Sequence, residues 1–126
     1  MKKLKRKGWA IMAQHKENGE YFAYSYVKKQ FQQAQITIFR ESARKTTGEN
    51  HEAPFLEREL SKIRESASEQ SWGEDYNFFI TRIGSKRCPV SIDWGGFIEG
   101  RDRRPSEDYE SRVELRFIPR NHKESA

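Results

Sequence analysis

Apolar and polar residues alternate over several short stretches of this 126-residue chain. A period of two is typical of β-strands that bury one face. It predicts strands over residues 35–39, 76–83, 88–94 and 112–118. The last of these is the clearest, because apolar residues alternate with charged ones until Pro119 ends the strand.

A β-hairpin is predicted around Asn18-Gly19, the dipeptide preferred where both positions of a two-residue turn need positive φ. With that loop, Ala13 would lie opposite Tyr24. This register gives the hairpin one strongly aromatic face, made of Trp9, Ile11, Ala13, His15, Phe22, Tyr24, Tyr26 and Lys28. The opposite face is small and weakly polar, so we expect the hairpin to lie centrally in a sheet or to expose a face to a partner.

A helix is predicted over residues 54–69. Leu56, Leu60, Ile63 and Ala67 follow one another at helical spacing and form a single apolar stripe. A second, short helix is predicted at residues 30–33 or 41–46, and residues 44–52 and 99–111 are predicted to be loops.

The predicted strands do not alternate with helices, which favours an antiparallel sheet over a parallel one. We therefore expect an α+β fold, with an antiparallel sheet of about five or six strands and one main helix packed on one face. The length indicates one domain. It is expected over residues 8–118, between a flexible basic arm at 1–7 and a loose C-terminal tail at 119–126.

The net charge of +5 comes from the start of the chain. Five of the 24 cations lie there, so the rest of the chain carries as many cations as the 19 acidic residues. These five residues are Lys2, Lys3, Lys5, Arg6 and Lys7. Such an arm could contact phosphates without reading bases, or could be solvated without a specific role.

The aromatic hairpin face allows two interpretations. Trp9, Phe22, Tyr24 and Tyr26 could form a platform on which single-stranded bases stack. General burial preferences favour the alternative, in which this face packs under the 54–69 helix.

Two predicted loops carry clustered cations near glycines, a combination that can form an anion-binding site. The clusters are Lys86 and Arg87, and Arg101, Arg103 and Arg104. Acidic residues follow the second cluster directly, so a solvated turn is the default interpretation.

No catalytic, metal or cofactor site is predicted. The three histidines share no ligand spacing with one another or with Cys88. A small nuclease using Asp75, Asp93 and Glu99, or His51, remains a third alternative.

The single cysteine fits a reducing compartment, and no apolar run has the length of a membrane span. We therefore expect a cytoplasmic protein with no membrane contact.

These observations favour a non-enzymatic accessory or regulatory protein, of inhibitor or adaptor type, that binds a protein partner. An electrically balanced body with separate charged patches suits protein docking. The alternative is a nucleic-acid-binding module that uses the basic arm and the aromatic hairpin face. A homo-oligomer is compatible with the composition. The small size and lack of motifs are typical of bacterial or phage accessory proteins.

Overall fold

The computed structural model describes residues 8–39, 55–94, 107–111 and 116–120. The α-helix α1 spans Phe55–Ser68, and a 3-10 turn at Ser71–Asp75 connects it to the following strand. The strands are β1 (Gly8–His15), β2 (Tyr21–Ser25), β3 (Gln30–Gln32), β4 (Ile36–Phe39), β5 (Tyr76–Ile83), β6 (Val90–Asp93), β7 (Glu107–Ser111) and β8 (Arg116–Pro119).

β1 is the central strand of an antiparallel sheet that contains β1–β5 and β7. Along one edge it pairs with β5 over its whole length. Along the other edge it pairs with β2 in its second half and with β4 at Trp9. β3 extends the sheet beyond β2, and β7 extends it beyond β4.

Both faces of this sheet are covered. On one face α1 packs and forms the helix-side core with Ile11, Ala13, Tyr24, Phe39, Leu56, Leu60, Ala67 and Phe78. On the other face lies a two-stranded sheet of β6 and β8. The core on that side consists of Ala10, Met12, Ala23, Ile36, Ile38, Ile83, Cys88 and Val90. The fold is α+β, with an antiparallel sheet and a helix on one face, which confirms the predicted class.

The predicted stripe of α1 is the side that faces the sheet. Leu56, Leu60 and Ala67 are buried, and Ile63 is half-buried against the same core. On its flank the guanidinium of Arg64 donates a hydrogen bond to the Phe78 carbonyl oxygen at 2.8 Å. This bond ties the helix to β5. No helix in the described ranges is long and apolar enough to cross a bilayer.

The β1–β2 hairpin forms, but its predicted register is wrong by two residues. Ala13 lies opposite Phe22, and the His15 N–H donates to the Glu20 carbonyl oxygen at 2.9 Å, so the loop is Lys16–Gly19. Within this loop positive φ occurs at Gly19 (75°) and not at Asn18, so the turn is not type I′. A shift of two residues leaves every side chain on its predicted face, because the side-chain period of a strand is two.

Two further predictions are corrected. Residues 30–32 form β3 and not a short helix, because their backbone pairs with β2. β7 lies within the predicted 99–111 loop, where pairing with β4 overrides the weak strand propensity of its charged residues. The alternative short helix at 41–46 lies outside the described residues.

Candidate binding cleft

The aromatic face of the hairpin packs against α1. Tyr24 is 5% exposed, and Trp9 and Tyr26 are half-buried against the helix-side core. The Tyr26 ring centre lies 5.6 Å from that of Phe55 in the first turn of the helix. This placement agrees with the interpretation that burial preferences favoured. Contact of the predicted platform residues Trp9, Phe22, Tyr24 and Tyr26 with a partner remains a prediction. Two of them, Phe22 and Tyr24, line the cleft described next.

A cleft of about 540 Å³ opens between α1 and the sheet. Its lining comes from β1, β2, β3, β5, α1 and the 3-10 turn, and most of it is apolar. Its aromatic members are Phe22, Tyr24, Phe31, Trp72, Tyr76 and Phe78. The volume lies within the ~300–1,000 Å³ range of pockets that take small ligands.

The aromatic walls of the cleft support one another. The Phe31 ring centre lies 5.1 Å from that of Tyr24 and 5.4 Å from that of Phe78. The Trp72 ring lies 6.0 Å from both Tyr76 and Phe78, edge to face. Ring pairs at such distances add about 0.5–1.5 kcal/mol each beyond area burial. The walls are therefore formed before any ligand binds.

One face of α1 supplies the polar side of the cleft. Four residues of α1 that line the cleft are related by spacings of three and four, which places them on one face of the helix. They are Glu59, Lys62, Ile63 and Ser66. Glu59 is buried near the floor, whereas Lys62 and Ser66 are exposed at the mouth.

The Glu59 carboxylate is compensated within the protein. The Tyr24 hydroxyl donates a hydrogen bond to Glu59 Oε2 at 3.3 Å, and Lys29 Nζ lies 3.9 Å from the same oxygen. Burial, and then the negative charge of Glu59, raise the pKa of Tyr24 above its ordinary value. The phenol therefore stays neutral and remains a donor to the carboxylate at neutral pH. The charges of Lys29 and Glu59 offset each other.

Lys29 lies in the turn between β2 and β3 with a φ of 58°. A left-handed conformation costs a non-glycine residue about 1–2 kcal/mol. The Lys29 N–H donates to the Ser25 carbonyl oxygen at 2.7 Å, and Nζ lies 3.8 Å from the centre of the Tyr26 ring. The strained turn thus places an ammonium group at the mouth of the cleft.

Trp72 is held at the rim by the 3-10 turn after α1. Its indole Nε1 donates to the Gln70 side-chain oxygen at 2.8 Å, and 41% of the residue is exposed. The next residue, Gly73, approaches the end of the helix so closely that a Cβ would overlap the Ala67 carbonyl oxygen. Glycine at this position therefore lets the turn dock on the helix and bring Trp72 over the cleft.

Of the predicted cationic positions, the two that the structure describes, Lys86 and Arg87, do not line this cleft. Lys86 and Arg87 are exposed in the turn that follows β5, whereas the cleft lies at the other end of that strand. Residues 1–7 and the three arginines at 101, 103 and 104 lie outside the described residues.

Sequence reasoning missed the cleft residues Lys29, Phe31, Glu59, Lys62 and Trp72. The positions of Lys62 and Ile63, three and four residues after Glu59, could be read from the sequence. Nothing in it, however, indicated that the residue 30–32 segment and the 3-10 turn meet at the same helix face.

Two of the residues considered for a nuclease, Asp75 and Asp93, lie in the described part of the chain, on different elements. The Asp75 carbonyl oxygen accepts a hydrogen bond from the Lys16 N–H at 2.8 Å, beside the main sheet. Asp93 lies in β6, with its carboxylate 4.0 Å from Arg116. The described ranges contain no cluster of three metal-ligating side chains, and His51 and Glu99 lie outside those ranges.

Comparison with protein-family models, with curated proteins and with solved structures finds no match to this chain.

Proposed function

We propose that this protein is a non-enzymatic accessory protein that binds another protein and receives a side chain of that partner in the cleft. The observation that carries the proposal is the cleft itself: about 540 Å³, largely apolar, with aromatic walls and an exposed tryptophan at the rim. Partly exposed aromatic residues around a pocket are typical of the sites that dominate protein–protein affinity.

The shape of the fold supports the same proposal. α1 covers one face of the sheet and β6 with β8 covers the other, so partner contact is expected at seams between elements. The seam between α1 and β2, β3 and β5 is the one that widens into this cleft. Pockets of this kind, mostly apolar with a few polar groups, are the usual form of a preformed binding site.

The test is selection of peptides from a random displayed library against the wild-type protein. Binding of the selected peptides is then measured on two variants. Ser66→Trp places an indole into the cleft, whereas Ser61→Trp makes the same change at an exposed helix position that does not line it. We expect Ser66→Trp to weaken peptide binding at least about tenfold, a loss of ~1.4 kcal/mol, and Ser61→Trp to leave it unchanged.

Equal binding to both variants would contradict the proposal. The nucleic-acid alternative is tested in parallel with a fluorescent single-stranded oligonucleotide at about 50 and 200 mM salt. Tight binding that falls steeply with salt, and that Ser66→Trp does not change, would favour contact through cationic residues instead.

A further inference from the structure

The charges around the cleft indicate what kind of side chain it accepts. We infer that the occupant is a partner segment with an aromatic anchor residue next to acidic residues. This inference rests on the proposed function and names the chemistry of its ligand.

The aromatic part follows from the walls. Rings of Phe22, Phe31, Trp72, Tyr76 and Phe78 border the space, and the contacts among them mix tilted and edge-to-face geometries. The lining therefore offers a largely aromatic surface to a ligand. A planar aromatic group can pair with these surfaces by stacking and by edge-to-face contact, which an aliphatic group of equal size cannot do.

The acidic part follows from the charges that remain at the mouth. Glu59 is the acidic residue that lines the cleft in the described part of the chain, and Lys29 and Tyr24 both contact it. Lys62 has no ion-pair partner among the described residues, and the Lys29 side chain is 58% exposed. The mouth therefore carries a net positive charge, which attracts a carboxylate.

A cationic ligand is disfavoured by the same geometry. To reach Glu59, an ammonium or guanidinium group would approach the position where Lys29 Nζ already lies, 3.9 Å from the carboxylate. Like charges at short range oppose each other, and displacing Lys29 would also remove its contact with the Tyr26 ring.

The experiment compares four capped tripeptides that differ in one property at a time: Glu-Trp-Glu, Gln-Trp-Gln, Lys-Trp-Lys and Glu-Ala-Glu. Binding is followed by NMR through the indole N–H signal of Trp72, assigned with Trp72→Phe. Peptides this small are expected to bind with dissociation constants of about 1 mM. We expect Glu-Trp-Glu to bind at least about fivefold more tightly than Lys-Trp-Lys, with Gln-Trp-Gln between them and Glu-Ala-Glu not detected.

Lys62→Glu and Lys86→Glu form a matched pair of variants, because both reverse one exposed charge and only the first lies at the cleft. Lys62→Glu is expected to reverse the preference between the Glu and Lys peptides, whereas Lys86→Glu is expected to keep it. A reversal in both variants would mean that overall charge sets the order and would overturn the inference.

The remaining outcomes separate the two proposals. If the three tryptophan peptides bind equally, the acidic part of the inference fails and the proposed function stands. If Glu-Ala-Glu binds as well as Glu-Trp-Glu, the aromatic part fails. If no tryptophan peptide moves the Trp72 signal, the cleft is not a peptide-binding site, and both proposals fail.

Discussion

Tyr24 connects the buried face of the hairpin to the polar side of the cleft. Its hydroxyl donates to Glu59, and burial together with that charge raises its pKa above the ordinary value of 10.0. A group whose pKa is raised on folding favours the folded state fully below the ordinary value. That contribution is lost as the pH rises through the folded-state pKa.

We therefore expect wild-type protein to lose stability more steeply than Tyr24→Phe as the pH rises above about 10. Near pH 7 the variant should be less stable by about 1 kcal/mol, because it lacks the hydrogen bond to Glu59. Urea unfolding over this pH series measures both effects. The pKa of Tyr21 is also raised, chiefly by burial, but this residue is present in both proteins and cancels in the comparison. Parallel pH profiles of the two proteins would contradict the expectation.

Single residues were predictable where a local pattern decided their place. The alternation of side chains along the hairpin strands predicted that Tyr24 and Tyr26 lie on the aromatic face, and both lie there in the structure. Trp72 was not predictable as a rim residue, because its place depends on how closely Gly73 approaches the end of α1. That approach depends on how the turn and the helix pack in three dimensions, and it produces no periodic pattern in the sequence.

The 3-10 turn at Ser71–Asp75 is the element that aims Trp72. A methyl group at Gly73 would overlap the Ala67 carbonyl oxygen and lie 2.7 Å from the Ala67 Cβ. The obstacle includes backbone, which cannot move aside as a side-chain end can. We expect Gly73→Ala to lower the free energy of unfolding by about 1–3 kcal/mol.

The same substitution is expected to weaken binding of the tryptophan peptides, since the turn must shift and carries Trp72 with it. Ser71→Ala is the control, because Ser71 is exposed in the same turn. Urea unfolding and the Trp72 indole signal report the two effects. If Gly73→Ala were as stable as Ser71→Ala, the turn would not need glycine.

The predicted bounds of β5 are those of the structure, and the predicted bounds of α1 lie within one residue of the observed ones at each end. The expectation that Pro119 ends the 112–118 strand was wrong, because Pro119 lies in β8 and pairs with Val90, whereas residues 112–115 lie outside the described residues.

The predicted hairpin register was wrong because it relied on the preference of Asn18-Gly19 for a two-residue turn, whereas other contacts stabilise a longer loop. His15 Nδ1 accepts hydrogen bonds from the Glu17 and Asn18 N–H groups, which stabilises the longer loop. β3 and β7 could not be predicted from their own residues, because both are strands only through pairing with neighbours.

At the scale of the whole molecule, β1 supplies both cores. Ile11 is buried on the helix side, and its neighbour Met12 is buried on the side of β6 and β8. We expect Met12→Ala and Leu56→Ala each to lower the free energy of unfolding by about 2–5 kcal/mol, because both remove fully buried side chains.

Because β1 contributes side chains to both cores, each variant should still unfold in a single transition. Circular dichroism reports the helix, and tryptophan fluorescence includes Trp94, which packs on the side of β6 and β8. Coincident curves from the two probes are expected. Separate midpoints in Met12→Ala would show that the layers are independent units.

The pairing of β1 with β5 has a consequence for how the chain is made. β2, β3, β4 and α1 all lie between these two strands in the sequence, so β1 leaves the ribosome well before its full-length partner is synthesised. Pairings between distant segments slow folding, and unpaired apolar strands invite aggregation. A nascent chain paused ahead of Tyr76 would leave β1 without β5 along one whole edge, the state in which chaperone protection matters most.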